Sequence, residues 1–261
     1  MVATYTEEFV EVAGSQIHLM KGGSGDPLLI LHGAGGNPGW IRYAQELADH
    51  YTVYIPSHPG YGQSERPDWL ETMNDMACFY TWFMEKQGLD GARAIGFSMG
   101  GWLAAEIVAS CQHSFSKLML VDPAGIKPER DEIADIFIIS PAQIQEMLFY
   151  DPKQAPEYDQ LFGQEPTPEQ AQIAEQNREM AVRICWKPYM HDPRLPFLLG
   201  RVNIPTQIVW GHQDQLVPLE CGEMFRDAIP GAKLSVIDKC GHLPNIEKPE
   251  EFMKIALDFL A

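Results

Sequence analysis

Residues 92–101 decide the fold, and they read Ala92-Arg93-Ala94-Ile95-Gly96-Phe97-Ser98-Met99-Gly100-Gly101. The first half is a short apolar run, which is typical of a buried strand. After Ser98 the chain continues into an alanine-rich pattern over residues 102–109, which predicts a helix. A strand that passes abruptly into a helix through Gly-x-Ser-x-Gly is typical of a nucleophile elbow, in which a strained turn exposes the serine Oγ. Glycine is expected at 96 and 100, because a side chain at either position would collide where strand and helix approach.

Gly-x-Ser-x-Gly consists of common residues, so the motif also arises by chance. A nucleophilic serine needs a base, an acid that orients the base, and donors for a developing oxyanion. The motif therefore predicts a nucleophile only if the rest of the chain supplies these groups.

Length, composition and charge limit the classes of function. With 261 residues, the chain is expected to form one large domain, or a core that carries one insertion. Its net charge of -17 repels phosphate backbones and anionic lipids, so we expect neither nucleic-acid binding nor membrane insertion. The sequence contains no apolar stretch long enough to span a bilayer. The charge does not restrict which neutral substrate binds, and the oligomeric state does not follow from the sequence.

The cysteines and histidines form no recognisable metal or disulfide motif. The five cysteines are an odd set without Cys-x-x-Cys spacing, which favours reduced thiols in a cytoplasmic protein. The first eight residues lack the basic and apolar segments of a signal peptide, which favours the same location. His-Glu-x-x-His and comparable clusters do not occur, so we expect no metal site.

Strand and helix patterns alternate along most of the chain. Residues 8–12 and 16–20 alternate in polarity around Ala13-Gly14-Ser15, which predicts a hairpin at a sheet edge. Further strands are expected at 27–31, 51–56, 117–121, 205–210 and 233–237, and helices at 40–50, 68–87, 219–228 and 250–260. This alternation predicts an α/β fold with a mostly parallel, doubly wound sheet.

A glycine-rich loop follows the first of the parallel strands and reads His32-Gly33-Ala34-Gly35-Gly36-Asn37-Pro38-Gly39. Such a loop can bind a dinucleotide, but Pro38 stands where the last glycine of Gly-x-Gly-x-x-Gly is required. We therefore expect no cofactor. With a nucleophilic serine downstream, the better interpretation is an oxyanion loop, whose donors are the backbone N–H groups of Ala34 and Met99.

Three further candidates lie at predicted strand ends, where the active sites of parallel sheets are found. Asp122, Asp214 and His242 each follow a predicted strand. Asp214 is the favoured acid, while Asp122 competes with it, although an Asp before Pro is also a common turn residue. His58 is a second candidate base, but beside Pro-Gly a structural role in the loop is favoured.

The alternation of strand and helix patterns stops between residues 126 and 200, where few strand patterns occur and prolines interrupt helical segments. We interpret 126–200 as a helical cap, or lid, over a core of residues 1–125 and 201–261. A lid would exclude water and shape the substrate site. Its apolar residues either line that site or form a small core of the cap (Ile136, Phe137, Ile138, Ile139, Met147, Leu148, Phe149 and Trp186).

Five stretches together carry a family resemblance: LHGAGG at 31–36, HPGYGQS at 58–64, GFSMGG at 96–101, WGHQDQLVP at 210–218 and CGHLPNIEKPEEF at 240–252. With them the chain resembles the α/β-hydrolase superfamily over essentially its full length, and its order of serine, acid and histidine matches the elbow type. The resemblance implies that Ser98 attacks an acyl carbon, that His242 takes its proton, and that Asp214 holds the imidazole. It also implies that Ala34 and Met99 bind the oxyanion, each N–H contributing roughly 3 kcal/mol.

The expected reaction is chosen from positions at which this sequence differs from related branches of the α/β-hydrolase superfamily. A serine nucleophile differs from the aspartate of dehalogenases and epoxide hydrolases. The chain looks similar to small carboxylesterases and to meta-cleavage C–C hydrolases. However, it carries Leu243 where the latter usually have Trp, and Ala34 where many have serine. We therefore expect hydrolysis of a carboxylic ester of a small, largely apolar substrate. C–C bond hydrolysis, acyl transfer to an alcohol, and a ligand receptor of the same fold remain alternatives.

Overall fold

The computed structural model describes residues 4–261, and Met1–Ala3, part of the predicted core segment 1–125, lie outside the described residues. Within residues 4–261, eight strands form one sheet in the order β1-β2-β4-β3-β5-β6-β7-β8. Their bounds are Tyr5–Val12 (β1), Ser15–Gly23 (β2), Pro27–Leu31 (β3), Thr52–Pro56 (β4), Ala92–Phe97 (β5), Phe115–Val121 (β6), Thr206–Gly211 (β7) and Lys233–Ile237 (β8). The six strands β3 to β8 pair in parallel with their neighbours in the sheet. The hairpin differs, since β1 pairs antiparallel with β2, and β2 pairs antiparallel with β4.

The predicted edge hairpin is present. β1 and β2 are joined by Ala13 and Gly14, both of which adopt positive φ angles of 52° and 78°. Two successive positive φ angles fit the twist of paired strands, which explains a glycine in the turn. β1 pairs only with β2 and lies at the edge of the sheet.

Helices cover both faces of the sheet, so the mostly parallel, doubly wound α/β architecture is confirmed. The first four begin and end at Arg42–Ala48 (α1), Met73–Gln87 (α2), Met99–Ser110 (α3) and Pro141–Met147 (α4). The others are Tyr158–Leu161 (α5), Pro168–Cys185 (α6), Leu195–Leu199 (α7), Leu219–Ala228 (α8), Pro244–Glu247 (α9) and Pro249–Leu260 (α10). Buried side chains of α1 and α10 pack on one face, and those of α2, α3 and α8 pack on the other. Among the helices of residues 4–261, none combines the length and hydropathy that crossing a bilayer requires.

Helix α2 begins five residues later than the apolar pattern predicts. The hydroxyl of Thr72 accepts a hydrogen bond from the amide of Asp75, and the carboxylate of Asp75 accepts one from the amide of Thr72. This reciprocal capping satisfies amide groups that a first helical turn leaves without partners. Residues 68–71 therefore remain outside the helix, although Leu70 packs in the core.

The segment between β6 and β7 contains α4 to α7 and a short 3₁₀ helix at Pro152–Gln154, so the helical insertion before the last two strands is confirmed. Several of its prolines begin helices rather than break them, and Pro141 and Pro168 occupy first helical positions. Proline fits there because the first amides of a helix have no partner within the helix. Whether residues 126–200 act as a separate cap domain stays a prediction.

Candidate active site

Ser98 stands at the sharp turn between β5 and α3. Its φ and ψ angles are 51° and -117°, a strained conformation for a residue with a side chain. A Cβ atom at Gly96 would lie 2.4 Å from the carbonyl oxygen of Gly100, and one at Gly100 would lie 2.2 Å from that of Leu31. Only glycine fits at these two positions, which confirms the expectation drawn from the motif.

His242 lies between Ser98 and Asp214 and is hydrogen-bonded to both. Its Nε2 is 2.9 Å from the Oγ of Ser98, and its Nδ1 is 2.6 Å from Oδ2 of Asp214. Since the Asp214 carboxylate accepts the Nδ1 proton, Nε2 is left to accept the proton of the serine hydroxyl. The side chains of His242 and Asp214 are 5% and 0% exposed. The structure therefore brings together three residues that are far apart in the sequence.

Backbone groups fix the acid and the histidine. Oδ1 of Asp214 accepts hydrogen bonds from the amides of Leu216 and Val217, at 2.8 Å and 3.1 Å. The amide of His242 donates to the carbonyl oxygen of Leu148 in the inserted segment, at 2.8 Å. The buried carboxylate of Glu247 accepts from the amides of Gly241 and Asp151, both at 2.7 Å. Glu247 thereby connects the loop that carries His242 to the insertion. This role was not predicted from the sequence.

The amides proposed as oxyanion donors lie beside the serine. Met99 is the residue directly after Ser98, and the loop that carries Ala34 begins at Gly33, whose backbone lies against Ser98. A turn in which the amide of Gly36 donates to the carbonyl oxygen of Gly33 closes this loop. Neither Ala34 nor Met99 uses its amide for a hydrogen bond to any other group in residues 4–261. Both donors are therefore available to a substrate oxygen.

Two buried histidines, His32 and His58, hydrogen-bond to each other at the start of the glycine-rich loop 32–39. The backbone amide of His58 donates to Nε2 of His32, and Nε2 of His58 donates to the carbonyl oxygen of His32, both at 2.9 Å. Burial lowers the pKa of His32 to about 4. The pKa of His58 is also lowered, mainly by burial and to a smaller extent by the neighbouring His32. Both rings are therefore neutral. His58 also contacts the hydroxyl of Tyr80 and does not line the cavity at Ser98, in agreement with a structural role.

Asp122 lies beside Asp214 but makes different hydrogen bonds. It is fully buried, and its Oδ1 accepts a hydrogen bond from the amide of Gly211 at 2.9 Å. Its Oδ2 is buried and has no hydrogen-bond partner among the described residues. Polar atoms of Asp122, Asp214 and His242 lie within 4.8 Å of one another, which is close enough to hold a cation. The hydrogen bond between Asp214 and His242 already explains most of this closeness, and the absence of a metal stays a prediction.

A cavity of about 390 Å³ opens in front of Ser98 and His242. Most of its wall is apolar, and the insertion contributes eight of the lining residues (Ile133, Ala134, Ile136, Ile144, Leu148, Leu161, Phe162 and Met190). Of the eight apolar insertion residues singled out in the sequence, Ile136 and Leu148 line the cavity, whereas Ile138 and Trp186 are exposed. Larger clefts elsewhere on the surface contain neither Ser98 nor His242.

Asn177 of α6 connects the insertion to the glycine-rich loop 32–39. Its amide nitrogen donates to the carbonyl oxygen of Gly35 at 2.9 Å, and its amide oxygen accepts from the amide of Gly62 at 2.9 Å. Asn177 is buried, and sequence reasoning missed it, because an asparagine on a polar helix carries no local signal. The nearby Arg178 donates to the carbonyl oxygen of Phe137 and does not line the cavity.

Comparison with known proteins gives a consistent family assignment. The family model described as "Alpha/beta hydrolase family" matches residues 28–255. The chain is 28% identical to the dihydrolipoyllysine-residue acetyltransferase component of an acetoin cleaving system from Cupriavidus necator, over 94% of this chain and 66% of that protein. It thus spans about two thirds of that relative's length.

Two further relatives are hydrolases by name. The 2-hydroxy-6-oxo-6-(2'-aminophenyl)hexa-2,4-dienoic acid hydrolase of Metapseudomonas resinovorans is 26% identical, over 99% of this chain and 92% of that protein. Lipase 3 of Moraxella sp. (strain TA144) is 28% identical, over 86% of this chain and 74% of that protein.

Solved structures share the fold. A 2-hydroxy-6-oxo-6-phenylhexa-2,4-dienoate hydrolase from Rhodococcus sp. strain RHA1 superposes with a TM-score of 0.81 at 22% identity, over 98% of this chain and 99% of that chain. An esterase from Exiguobacterium antarcticum superposes with a TM-score of 0.73 at 23% identity, with the same coverage.

Proposed function

The chain belongs to the alpha/beta hydrolase family, and on this basis we propose that it is a serine hydrolase that cleaves a carboxylic ester through an acyl-enzyme. The observation that carries the proposal is the hydrogen-bonded series of Ser98, His242 and Asp214, with distances of 2.9 Å and 2.6 Å. This arrangement activates a serine hydroxyl at neutral pH, because the imidazole accepts the hydroxyl proton while the oxygen attacks.

In the proposed reaction, the Oγ of Ser98 adds to the carbonyl carbon of the ester and His242 takes the hydroxyl proton. His242 then gives this proton to the leaving alcohol, and an acyl group remains on Ser98. A water molecule, deprotonated by His242, attacks the acyl carbon. The bond to Oγ of Ser98 then breaks, the acid leaves, and His242 returns the proton to Oγ. Asp214 stabilises the imidazolium in both halves of the cycle and remains ionised.

The oxyanion of each tetrahedral intermediate is expected to lie between the amides of Ala34 and Met99. Their lack of hydrogen bonds to other groups within residues 4–261 supports this role. Fixed donors cost no reorganisation during the reaction, so each contributes roughly 3 kcal/mol to transition-state stabilisation.

The cavity suggests a small and largely apolar substrate. A volume of about 390 Å³ is near the lower end of ligand pockets, and its largely apolar wall favours a short hydrocarbon group. Residues 126–200 are proposed to act as a cap over the core formed by 1–125 and 201–261, because they supply much of this wall. The unpaired state of all five cysteines supports a reducing, cytoplasmic location.

C–C bond hydrolysis is the second candidate, since the relative from Metapseudomonas resinovorans is a hydrolase of a hexadienoic acid. Leu243, which lines the cavity beside His242, argues for the ester, because the C–C enzymes that the chain resembles usually carry Trp there.

The first experiment measures turnover of p-nitrophenyl esters from acetate to octanoate, together with labelling by a fluorophosphonate. Ser98→Ala should lower kcat by a factor on the order of 10⁵ to 10⁶, because it removes the nucleophile. Ser116→Ala is the matched control, since Ser116 is exposed on β6. Circular dichroism and Tm should show that both variants fold.

The outcomes separate the candidates. Turnover and labelling that disappear only in Ser98→Ala support the proposal. Labelling without ester turnover contradicts ester hydrolysis, and a meta-cleavage diketone is then the next substrate to test. If that substrate is not cleaved either, a ligand receptor is favoured. Retained turnover in Ser98→Ala would exclude Ser98 as the nucleophile.

A further inference from the structure

Two carboxyl groups lie side by side at the ends of neighbouring strands. Asp122 follows β6 and Asp214 follows β7, and the two side chains are fully buried. One polar atom of each lies within 4.8 Å of the other and of His242. No Lys or Arg side chain forms an ion pair with either carboxyl in the part of the chain that the structure describes. Two ionised carboxylates in this position would repel each other strongly.

The hydrogen bonds indicate which of the two carries a proton. Asp214 accepts three hydrogen bonds, from Nδ1 of His242 and from the amides of Leu216 and Val217. Asp122 accepts one, from the amide of Gly211, and its Oδ2 is buried without a donor. Donors stabilise the ionised form of a carboxyl group, so the negative charge belongs on Asp214. A proton on Oδ2 of Asp122 converts a buried acceptor without a partner into a donor.

We propose that Asp122 is a positioning residue that is neutral in the working enzyme and donates a hydrogen bond from Oδ2–H to the Asp214 carboxylate. Asp214 then has four donors, and its orientation toward Nδ1 of His242 is fixed from both sides. Asp122 does not line the substrate cavity and acts only through Asp214. The proposal rests on the proposed function insofar as Asp214 serves as the acid.

The surroundings of Asp122 favour the neutral form. Burial is the main cause that raises its pKa well above the ordinary value, and the charge of Asp214 adds to it. The amide of Gly211 acts in the opposite direction. The titratable groups around it are Asp214, His242 and the thiol of Cys240, whose pKa is itself raised by burial. Cys240 therefore contributes no charge at neutral pH.

The kinetic test compares Asp122→Asn with Asp122→Leu on p-nitrophenyl butyrate. Asparagine retains both contacts, because its amide nitrogen donates to Asp214 and its oxygen accepts from Gly211. It should keep more than about a third of the wild-type kcat. Leucine removes the donor and should lower kcat at least tenfold, while KM changes less than twofold. Asp238→Asn is a control, since Asp238 is an exposed carboxyl that follows β8.

Two measurements need no substrate and remain valid if Asp122→Leu fails to fold. The infrared carbonyl stretch of a protonated carboxyl should be present in the wild type at pH 8 and reduced in Asp122→Asn. Glu106, whose pKa burial raises to about 7, contributes equally to both proteins. The second measurement is the free energy of unfolding from pH 5 to pH 8. Unfolded Asp is ionised above about pH 4, whereas folded Asp122 keeps its proton. The wild type should therefore lose more stability than Asp122→Asn as the pH rises.

The failure of this inference can be told apart from failure of the proposed function. If the wild type hydrolyses esters but Asp122→Asn loses as much kcat as Asp214→Asn, Asp122 is an acting acid and the inference is wrong. An unchanged infrared band, or identical slopes of stability against pH, would overturn it without any substrate. Loss of the band and of the pH slope supports the inference even if ester turnover is absent.

Discussion

The sheet core contributes hydrogen-bonded polar side chains to the cavity at Ser98, whereas the inserted segment contributes apolar ones. Ser98, Asp214 and His242 follow β5, β7 and β8, and a network of backbone hydrogen bonds holds their positions. The insertion contributes apolar side chains from loops and short helices, and none of the residues of α4 is buried. Under the proposed function, the core determines which bond is broken and the insertion determines which group fits beside it.

This difference has a physical cause. The catalytic candidates Asp214 and His242 are fixed by directional hydrogen bonds from backbone groups, and small displacements there misalign reacting groups. A wall of apolar side chains is bound by non-directional contacts, and its substitution changes volume and contact area rather than geometry. Substitutions in the core should therefore lower kcat for every ester, whereas those in the insertion should change the preference among esters.

The largest expected effect after loss of the nucleophile belongs to Asp214→Asn. An amide at this position favours the wrong imidazole tautomer, so kcat should fall by about 10⁴ for every ester of the acetate-to-octanoate series. KM and the preferred chain length should remain close to wild type. Asp238→Asn serves again as the exposed control. A decrease confined to long or short esters would contradict the separation between core and insertion.

Asn177→Leu tests the connection between the two regions. The substitution leaves the carbonyl group of Gly35 and the amide of Gly62 without their partner, which costs about 1–3 kcal/mol for each group that stays buried. Because Gly35 belongs to the oxyanion loop, we expect kcat/KM to fall about tenfold for all esters. Gln172→Leu, on the exposed face of the same helix, is the matched control. A lower Tm with unchanged kcat/KM would mean that the loop keeps its geometry without the insertion.

The smallest effect is expected from Ile144→Ala, which enlarges the cavity wall on α4. The substitution should move the optimum of the ester series toward longer acyl chains, with changes of roughly fourfold in kcat/KM for each methylene group accommodated. Turnover of the acetate ester should change little, because the catalytic groups are not affected. Ile138→Ala is the control, since this side chain is 78% exposed. An equal loss for all esters would place Ile144 among the groups that determine the reaction.

The elements that local patterns specify were predictable. β3 and β8 have the predicted bounds, Pro27–Leu31 and Lys233–Ile237. β3 is a continuous apolar run that a parallel sheet buries on both faces, whereas β8 is a partly exposed strand at the edge of the sheet. The glycines of the elbow were predictable for steric reasons, and the structure confirms the close approach at Gly96 and Gly100. The start of α2 was wrong, because capping by Thr72 and Asp75 outweighed the apolar period.

Local sequence patterns specify the order of strands and helices, the strained serine and the residue types that follow the strands. These depend on neighbours in the chain, whose spacing is visible in the sequence. Packing of the folded chain brings Asp214 to His242 and leaves Asp122 beside them with an oxygen that has no hydrogen-bond partner among the described residues. It also decided that Asn177 and Glu247 join the insertion to the catalytic loops. Such contacts link residues up to 142 positions apart, so burial and distance in the folded chain decide them rather than any local pattern.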